Sequence, residues 1–455
     1  MFNASRFVHE AAIVCLIFAC CAQRANAGAI AACASPVAFR DAQINVVILP
    51  YFQSGPSEHE LNGLGSQLAL LMKLETLYRA FSYDHWGITL LTGTVLQCDP
   101  ELTARELLTG IDPGGRLLVV WGRLYQQDED VYVQTFAKFY RKPLLNERSA
   151  PPISVGFELD GKPFHGQVPG PEFSFPPEQL PLKTMDAIAA SFERAAFIYS
   201  SPDLNAPKSP LPLDRFRKCD YCEGPLAFTV IKRTGDWVQI RASTMIEGVG
   251  RDGYLLAHRA DQRNLIQQMP EVGFIQGLMG FLRYAGRVSD EDQAQRLAGI
   301  QAAEQAFAEY ARSEQTEEEP ATKAAALQLK GVLQFAESHI DATEDFDTAY
   351  EFVPYDSDAR NLAAMFRLYS EYSSAGRNLR ARDTANDFIA AAALQPRNLF
   401  VLENLRNFYE LLTSPVAQEK ISPGTGIEPN EIDAQFKKLK TILAKTPTGS
   451  PIKDQ

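Results

Sequence analysis

The apolar positions of this chain change period several times from the N-terminus onward, and each change marks an element. Ile44-Asn-Val-Val-Ile-Leu49 is a nearly continuous apolar run ended by Pro50, as expected of a short strand buried on both faces. Leu61, Leu64, Leu68, Leu71, Met72, Leu74, Leu77 and Tyr78 fall at helical spacing and predict a helix over 59–80. Gly87-Ile-Thr-Leu-Leu91 reads as a second strand. A second helix runs from Pro100 to Leu108, with Asp99 as N-cap and proline at the first helical position. Arg116 to Tyr125 and Val131 to Tyr140 alternate apolar and polar residues around Gln-Gln-Asp-Glu-Asp, which predicts a hairpin. The order βαβαββ predicts an α/β sandwich over 28–145.

Residues 146–192 form a proline-rich linker in which Ile153 to Leu159 and Phe173 to Phe175 read as edge strands. Pro176 to Pro181 reads as extended chain, and Leu182 to Ala196 as a helix. Between 193 and 258 the period returns to two. Phe228, Val230, Trp237, Val238 and Ile240 supply β-branched and aromatic positions around a turn at Thr234-Gly235-Asp236, and Gly253-Tyr-Leu-Leu256 opens a further strand. From about 261 the pattern becomes helical and stays so to 412. Val272 to Ala285, Asp290 to Arg312 and Ala321 to His339 predict helices, with an acidic loop at Ser313 to Pro320. Two helix, Pro-x-Asp/Asn, helix units then follow, centred on Pro354-Tyr-Asp356 and Pro396-Arg-Asn398. The tail, 413–455, carries one amphipathic helix, Glu431 to Ala444, with Ile432, Phe436, Leu439 and Leu443 as its stripe.

Charge and chemistry narrow the picture. The 455 residues carry a formal net charge of −12, which disfavours a nucleic-acid partner because phosphate binding needs a positive field. Arg6, the apolar run Ala11 to Ala22 and the small residues Ala25-Asn-Ala27 form a leader, residues 1–27, with cleavage expected before Gly28. The rival reading is a lipoprotein acylated at Cys20 or Cys21. No later stretch is long and apolar enough to span a bilayer. Of the seven cysteines, Cys15, Cys20 and Cys21 lie in the leader, leaving Cys33, Cys98, Cys219 and Cys222. An even count in an oxidising compartment invites two disulfides, and of the three connectivities Cys33–Cys98 with Cys219–Cys222 is favoured. The first would close a loop of about 65 residues and stabilise the N-terminal unit by about 4 kcal/mol in the chain-entropy account.

Cys219-Asp-Tyr-Cys222 also matches the spacing of a redox pair, so a thiol–disulfide oxidoreductase is the alternative function. Glu223-Gly-Pro225 stops any helix that would lower the first thiol's pKa, and the nearest histidines in sequence, His165 and His258, are distant for a zinc site. No Gly-x-Ser-x-Gly, His-Glu-x-x-His, P-loop or dinucleotide fingerprint occurs, and His59, His85, His165, His258 and His339 are scattered. The sequence therefore points to a protein without catalytic residues, metal or cofactor.

The order strand, Gly-Asp-Trp, strand, Gly-aromatic, led by Phe197-Ile-Tyr-Ser-Ser-Pro-Asp203, resembles the bacterial SH3-like domain. That resemblance implies a small β-barrel over 193–258 that binds rather than catalyses, and a bacterial periplasmic location. Residues 215–225, which hold the two cysteines, are an insertion that compact members lack. Trp237 and Tyr254 are then the aromatic residues expected to line a peptide or glycan groove, with Tyr199, Phe216 and Tyr221 as further candidates. The competing reading places Trp237 and Tyr254 in the barrel core. The helix–Pro-x-Asp/Asn–helix units resemble tetratricopeptide repeats, although the two prolines are about 42 residues apart rather than the family's ~34. That resemblance implies a concave surface suited to protein partners. The βαβαββ module resembles the periplasmic modules of TolB-like and CsgG-like envelope proteins. The fold expected is thus multidomain α+β: α/β sandwich, SH3-like β-barrel, helical repeat region. The function expected is non-catalytic binding or scaffolding in the cell envelope, with an envelope protein or peptidoglycan as partner.

Overall fold

A computed structural model of the protein describes residues 44–49, 51–53, 86–90, 99–127, 130–143, 153–168, 172–181, 197–210, 227–256, 269–286, 293–313, 319–338, 342–374, 378–421 and 426–445. The leader, the helix expected over 59–80, the helix expected over 182–196 and the insertion at 215–225 lie outside the described residues.

The N-terminal strands are β1 (Ile44–Ile48), β2 (Phe52–Gln53), β3 (Trp86–Leu90), β4 (Arg116–Gln127) and β5 (Asp130–Arg141). β1 lies between β3 and β4 and is parallel to both, so Val46, Val47 and Ile48 are fully buried, as its nearly continuous apolar run requires. Helix α1 (Pro100–Gly110) begins where the cap signal stands: the Asp99 carboxylate accepts hydrogen bonds from the Glu101 and Leu102 amides at 2.8 and 3.1 Å. β4 and β5 pair as the long hairpin their alternation predicts.

The proline-rich stretch is more ordered than its composition suggests. β6 (Ser154–Leu159) and β7 (Lys162–Gln167) form a separate hairpin. Its loop, Asp160-Gly161, has φ values of 49° and 73°, which fits a two-residue primed turn. β8 (Glu172–Ser174) and β9 (Glu178–Pro181) both pair with β5, so the stretch after Pro176 ends as an edge strand rather than as linker. Next come β10 (Phe197–Tyr199), β11 (Lys208–Pro210), β12 (Ala227–Thr234), β13 (Trp237–Ile246) and β14 (Gly250–Leu256).

The expected barrel does not close among the described residues. β11, β10, β14, β13 and β12 lie side by side, and the outer edge of β12 pairs with β3 through Ala227–Thr89, Phe228–Ile88 and Thr229–Gly87. An edge taken by a neighbouring strand cannot also close a barrel. The result is one open 12-stranded sheet shared by the N-terminal and central stretches.

Helices follow: α2 (Pro270–Gly286), α3 (Gln293–Arg312), α4 (Pro320–Ser338), α5 (Thr343–Phe352), α6 (Ser357–Ser373), α7 (Ala381–Leu394), α8 (Leu399–Leu412), α9 (Pro415–Lys420) and α10 (Pro429–Lys445). The protein is thus a mixed α/β molecule with a helical C-terminal region. The inner sheet face, carrying Val46, Leu118, Val133, Ile198, Ile240 and Leu255, shares one core with Phe274, Phe307 and Leu333 of the helices. The outer face packs Val47, Leu117 and Val119 against Ala104 and Leu107 of α1. Alternation along each strand sorts the residues between these faces. In the two Pro-x-Asp/Asn units, the Asp356 side chain caps α6 through the Ala359 amide and Asn398 caps α8 through the Val401 amide. Ile432 and Leu439 of α10 are buried with α8 residues, so the tail helix covers the end of the array.

Candidate functional site

The strand register collects three of the sequence candidates on the outer sheet face. Tyr199 stands opposite Tyr254, Tyr254 opposite Gln239, and Trp237 lies two residues from Gln239 on the same strand. All therefore point away from the face that carries Ile198, Val238 and Leu255. The Tyr199 and Trp237 rings meet edge to face with centroids 5.0 Å apart, and Lys208 Nζ lies 4.4 Å from the Phe197 ring centroid and 5.6 Å from that of Tyr199. Tyr199 is buried, at 3% exposure, whereas Trp237 and Tyr254 are half-buried. Trp237 and Tyr254 thus belong neither to the sheet–helix core nor fully to solvent. Beside them Arg241 and Asp252 form an exposed ion pair at 2.8 Å, whose hydrogen bond raises the arginine pKa and lowers that of the carboxylate. Tyr221, Phe216, Cys33, Cys98, Cys219 and Cys222 lie outside the described residues.

On the helical side, the hairpin β6–β7 is seated against α6 and α8. Leu159 and Lys162 flank a two-residue turn, so Pro163 and His165 direct their main-chain groups away from β6. Asparagines take up those groups. Asn404 Nδ2 donates to His165 O at 2.6 Å, and Asn404 Oδ1 accepts from His165 N at 2.9 Å. Asn361 Nδ2 donates to His165 O at 3.2 Å, and Asn407 Nδ2 donates to Pro163 O at 2.6 Å. All three asparagines are buried, and Asn404 is also bonded to Asn361 Oδ1. Phe164 is fully buried, and Phe157 packs among Phe335, Phe366 and Tyr369. The helices that follow the two Pro-x-Asp/Asn turns therefore hold a segment of their own chain, by contacts to its main chain. Sequence reading missed this arrangement; Asp160-Gly161 was a turn signal, but nothing local told which helices the hairpin would meet.

On another side of α6 lies a cleft of about 320 Å³ lined by Thr343, Arg367, Ser370, Glu371, Asn378 and Arg380. Its arginines are already engaged: Arg367 with Asp347 at 2.6 Å and Asp387 at 2.5 Å, Arg380 with the buried Glu371 at 2.6 Å. At the sheet–helix boundary sits a buried polar group. Thr135 Oγ1 donates to Glu271 Oε1 at 2.9 Å, so the Tyr51 hydroxyl, 2.9 Å from the same oxygen of Thr135, is the donor in that second bond. Burial pushes the Glu271 carboxyl up to about 7 and the Tyr51 phenol well above its usual range. Burial likewise raises Asp358, to about 6.

Among the described residues no cluster of His, Cys, Asp and Glu could hold a metal ion, and no helix is long and apolar enough to cross a membrane. No family model matches the chain, and neither the curated proteins nor the solved structures provide a match.

Proposed function

We propose that the protein is a non-catalytic binding and scaffolding protein of the bacterial cell envelope, exported through its leader to the periplasm. The observation that carries this reading is the gathering of Tyr199, Trp237 and Tyr254, from three strands spread over about 55 residues of sequence, onto one partly open sheet face beside Lys208. The half-buried rings of Trp237 and Tyr254, backed by the buried Tyr199 and a neighbouring cation, suit a ligand with apolar faces and acidic groups, as in peptidoglycan or an envelope protein. The SH3-like resemblance of 193–258 points the same way, with the open sheet in place of an isolated barrel. The tetratricopeptide-like units are the second binding element. Their inner face is filled by hairpin β6–β7, so a protein partner would use their exposed apolar residues, Tyr355, Ile389, Leu394 and Leu399.

The test is co-sedimentation of the mature protein with purified cell-wall sacculi, repeated with Trp237→Ala and Tyr254→Ala. Wild-type protein should pellet with the wall and both variants should remain largely in the supernatant. Wild-type protein that stays soluble, or variants that pellet equally, would remove wall recognition by this face.

A further inference from the structure

The outer face of β4 and β5 carries a second constellation, separate from the β10–β13–β14 face. Hairpin register pairs Trp121 with Phe136, Arg123 with Gln134 and Tyr125 with Tyr132, all on the side where α1 covers Leu117 and Val119 and where Trp121 packs against the rim of that cluster. The Trp121 and Phe136 rings are parallel within 16° at 5.7 Å, and the two tyrosine rings within 7° at 5.0 Å. All four rings are half-buried, and Arg123 between the two pairs is exposed. Its guanidinium is nevertheless held in place. Nε donates to Gln134 Oε1 at 2.7 Å, and the guanidinium carbon lies 5.8 Å from the Phe136 ring centroid. Gln134 is itself 6% exposed and anchored by its Nε2 on Phe175 O at 3.3 Å. The two Nη groups have no partner among the described residues, in a chain of net charge −12.

We propose that this strip is a binding site for a carboxylate-bearing oligosaccharide, with Arg123 as its anion-recognising residue. An oriented guanidinium whose Nη groups have no partner among the described residues matches a carboxylate in two-point geometry. The aromatic pairs on either side, four residues or about 13 Å apart along the strand, offer apolar ring surface to the C–H faces of sugars. The tyrosine hydroxyls and the indole N–H serve sugar hydroxyls. The net negative charge of the protein disfavours long polyanions, which leaves a short ligand with few carboxylates. The site does not depend on wall binding by Trp237 and Tyr254.

The experiment is calorimetric titration of the mature chain at low salt with trigalacturonate, with maltotriose as the uncharged sugar and triglutamate as the charge-matched peptide. Wild-type protein should bind trigalacturonate at least roughly tenfold more tightly than either control, and Arg123→Gln should weaken it roughly tenfold or more. Arg123→Lys, which keeps the charge but not the fork, should fall between the two. Tyr125→Leu should weaken the sugar acid as well, and melting curves establish that each variant is folded. No binding by wild-type protein, equal binding of triglutamate or maltotriose, or undiminished binding by folded Arg123→Gln would each overturn the proposal.

Discussion

Replacing Glu271 by glutamine tests the reading of the sheet–helix boundary through its pH dependence. The carboxyl is 1% exposed at the start of α2, and its pKa rises from the ordinary 4.5 to about 7, chiefly through desolvation. The hydrogen bond from Thr135 opposes that rise, and the field of Glu178 adds to it. A raised acid pKa means that the folded state holds its proton longer than the unfolded chain does. Stability from this group is therefore intact below 4.5 and is lost progressively as pH climbs through about 7. The full loss, reached near pH ~8.5, is about 3 kcal/mol at roughly 1.4 kcal/mol per pH unit. Glu271→Gln abolishes this titration. The amide leaves one buried N–H group without the fit of the protonated acid, which adds a fixed cost of about 1–3 kcal/mol at every pH. The observable is therefore the stability difference between variant and wild type, measured by urea unfolding at pH ~5 and ~8.5. It should shift in the variant's favour by about 2.5 kcal/mol between the two, the first part of the loss being already complete at pH ~5. The other raised carboxyls Asp345, Asp347 and Asp358 act on both proteins alike and cancel, and Glu178, the last of the causes acting on Glu271, largely does so. A difference that stays constant across this range would refute the buried, proton-holding carboxyl.

Two further substitutions probe the hairpin seated on the helices. Asn404→Ala removes the acceptor for the His165 amide and a donor to His165 O; it should cost about 2–3 kcal/mol in denaturant unfolding and speed hydrogen exchange at the His165 amide, and unchanged exchange there would argue against the contact. Gly166→Ala should cost about 1–3 kcal/mol by thermal or chemical denaturation, because a Cβ would stand 2.5 Å from Leu362 Cδ2 and 3.1 Å from Met365 Sδ; a neutral change would mean that hairpin and α6 are not so closely packed.

The parts legible in the sequence were those written in neighbouring residues. Asp99 followed by Pro100 marks a helix start because the cap bonds only amides two and three residues on. The Asp356 and Asn398 caps do the same for α6 and α8, and alternation in 116–140 marks a hairpin because pairing across a short turn follows from the chain itself. That hairpin also held the signal for the Trp121–Arg123–Tyr125 strip. Reading the register rung by rung would have placed Arg123 opposite Gln134 between two aromatic pairs.

What the sequence by itself determined is the start of α1 at its Asp99 cap, the long β4–β5 hairpin with its alternating faces, and the helices on either side of the two Pro-x-Asp/Asn turns, all governed by hydrogen bonds and periodicities spanning a few residues. The tertiary structure alone decided which edges and faces meet. β12 reads as the side of a small barrel, yet it lies against β3, whose residues are about 140 positions earlier in the chain. Hairpin β6–β7 reads as proline-rich linker, yet its outward main-chain groups end on Asn361, Asn404 and Asn407, about 200 to 240 positions later. A strand edge carries the same N–H and C=O groups whatever its residues are, and an asparagine amide will bond any of them. The partner is chosen by the burial of whole apolar faces, and a local period does not encode that choice.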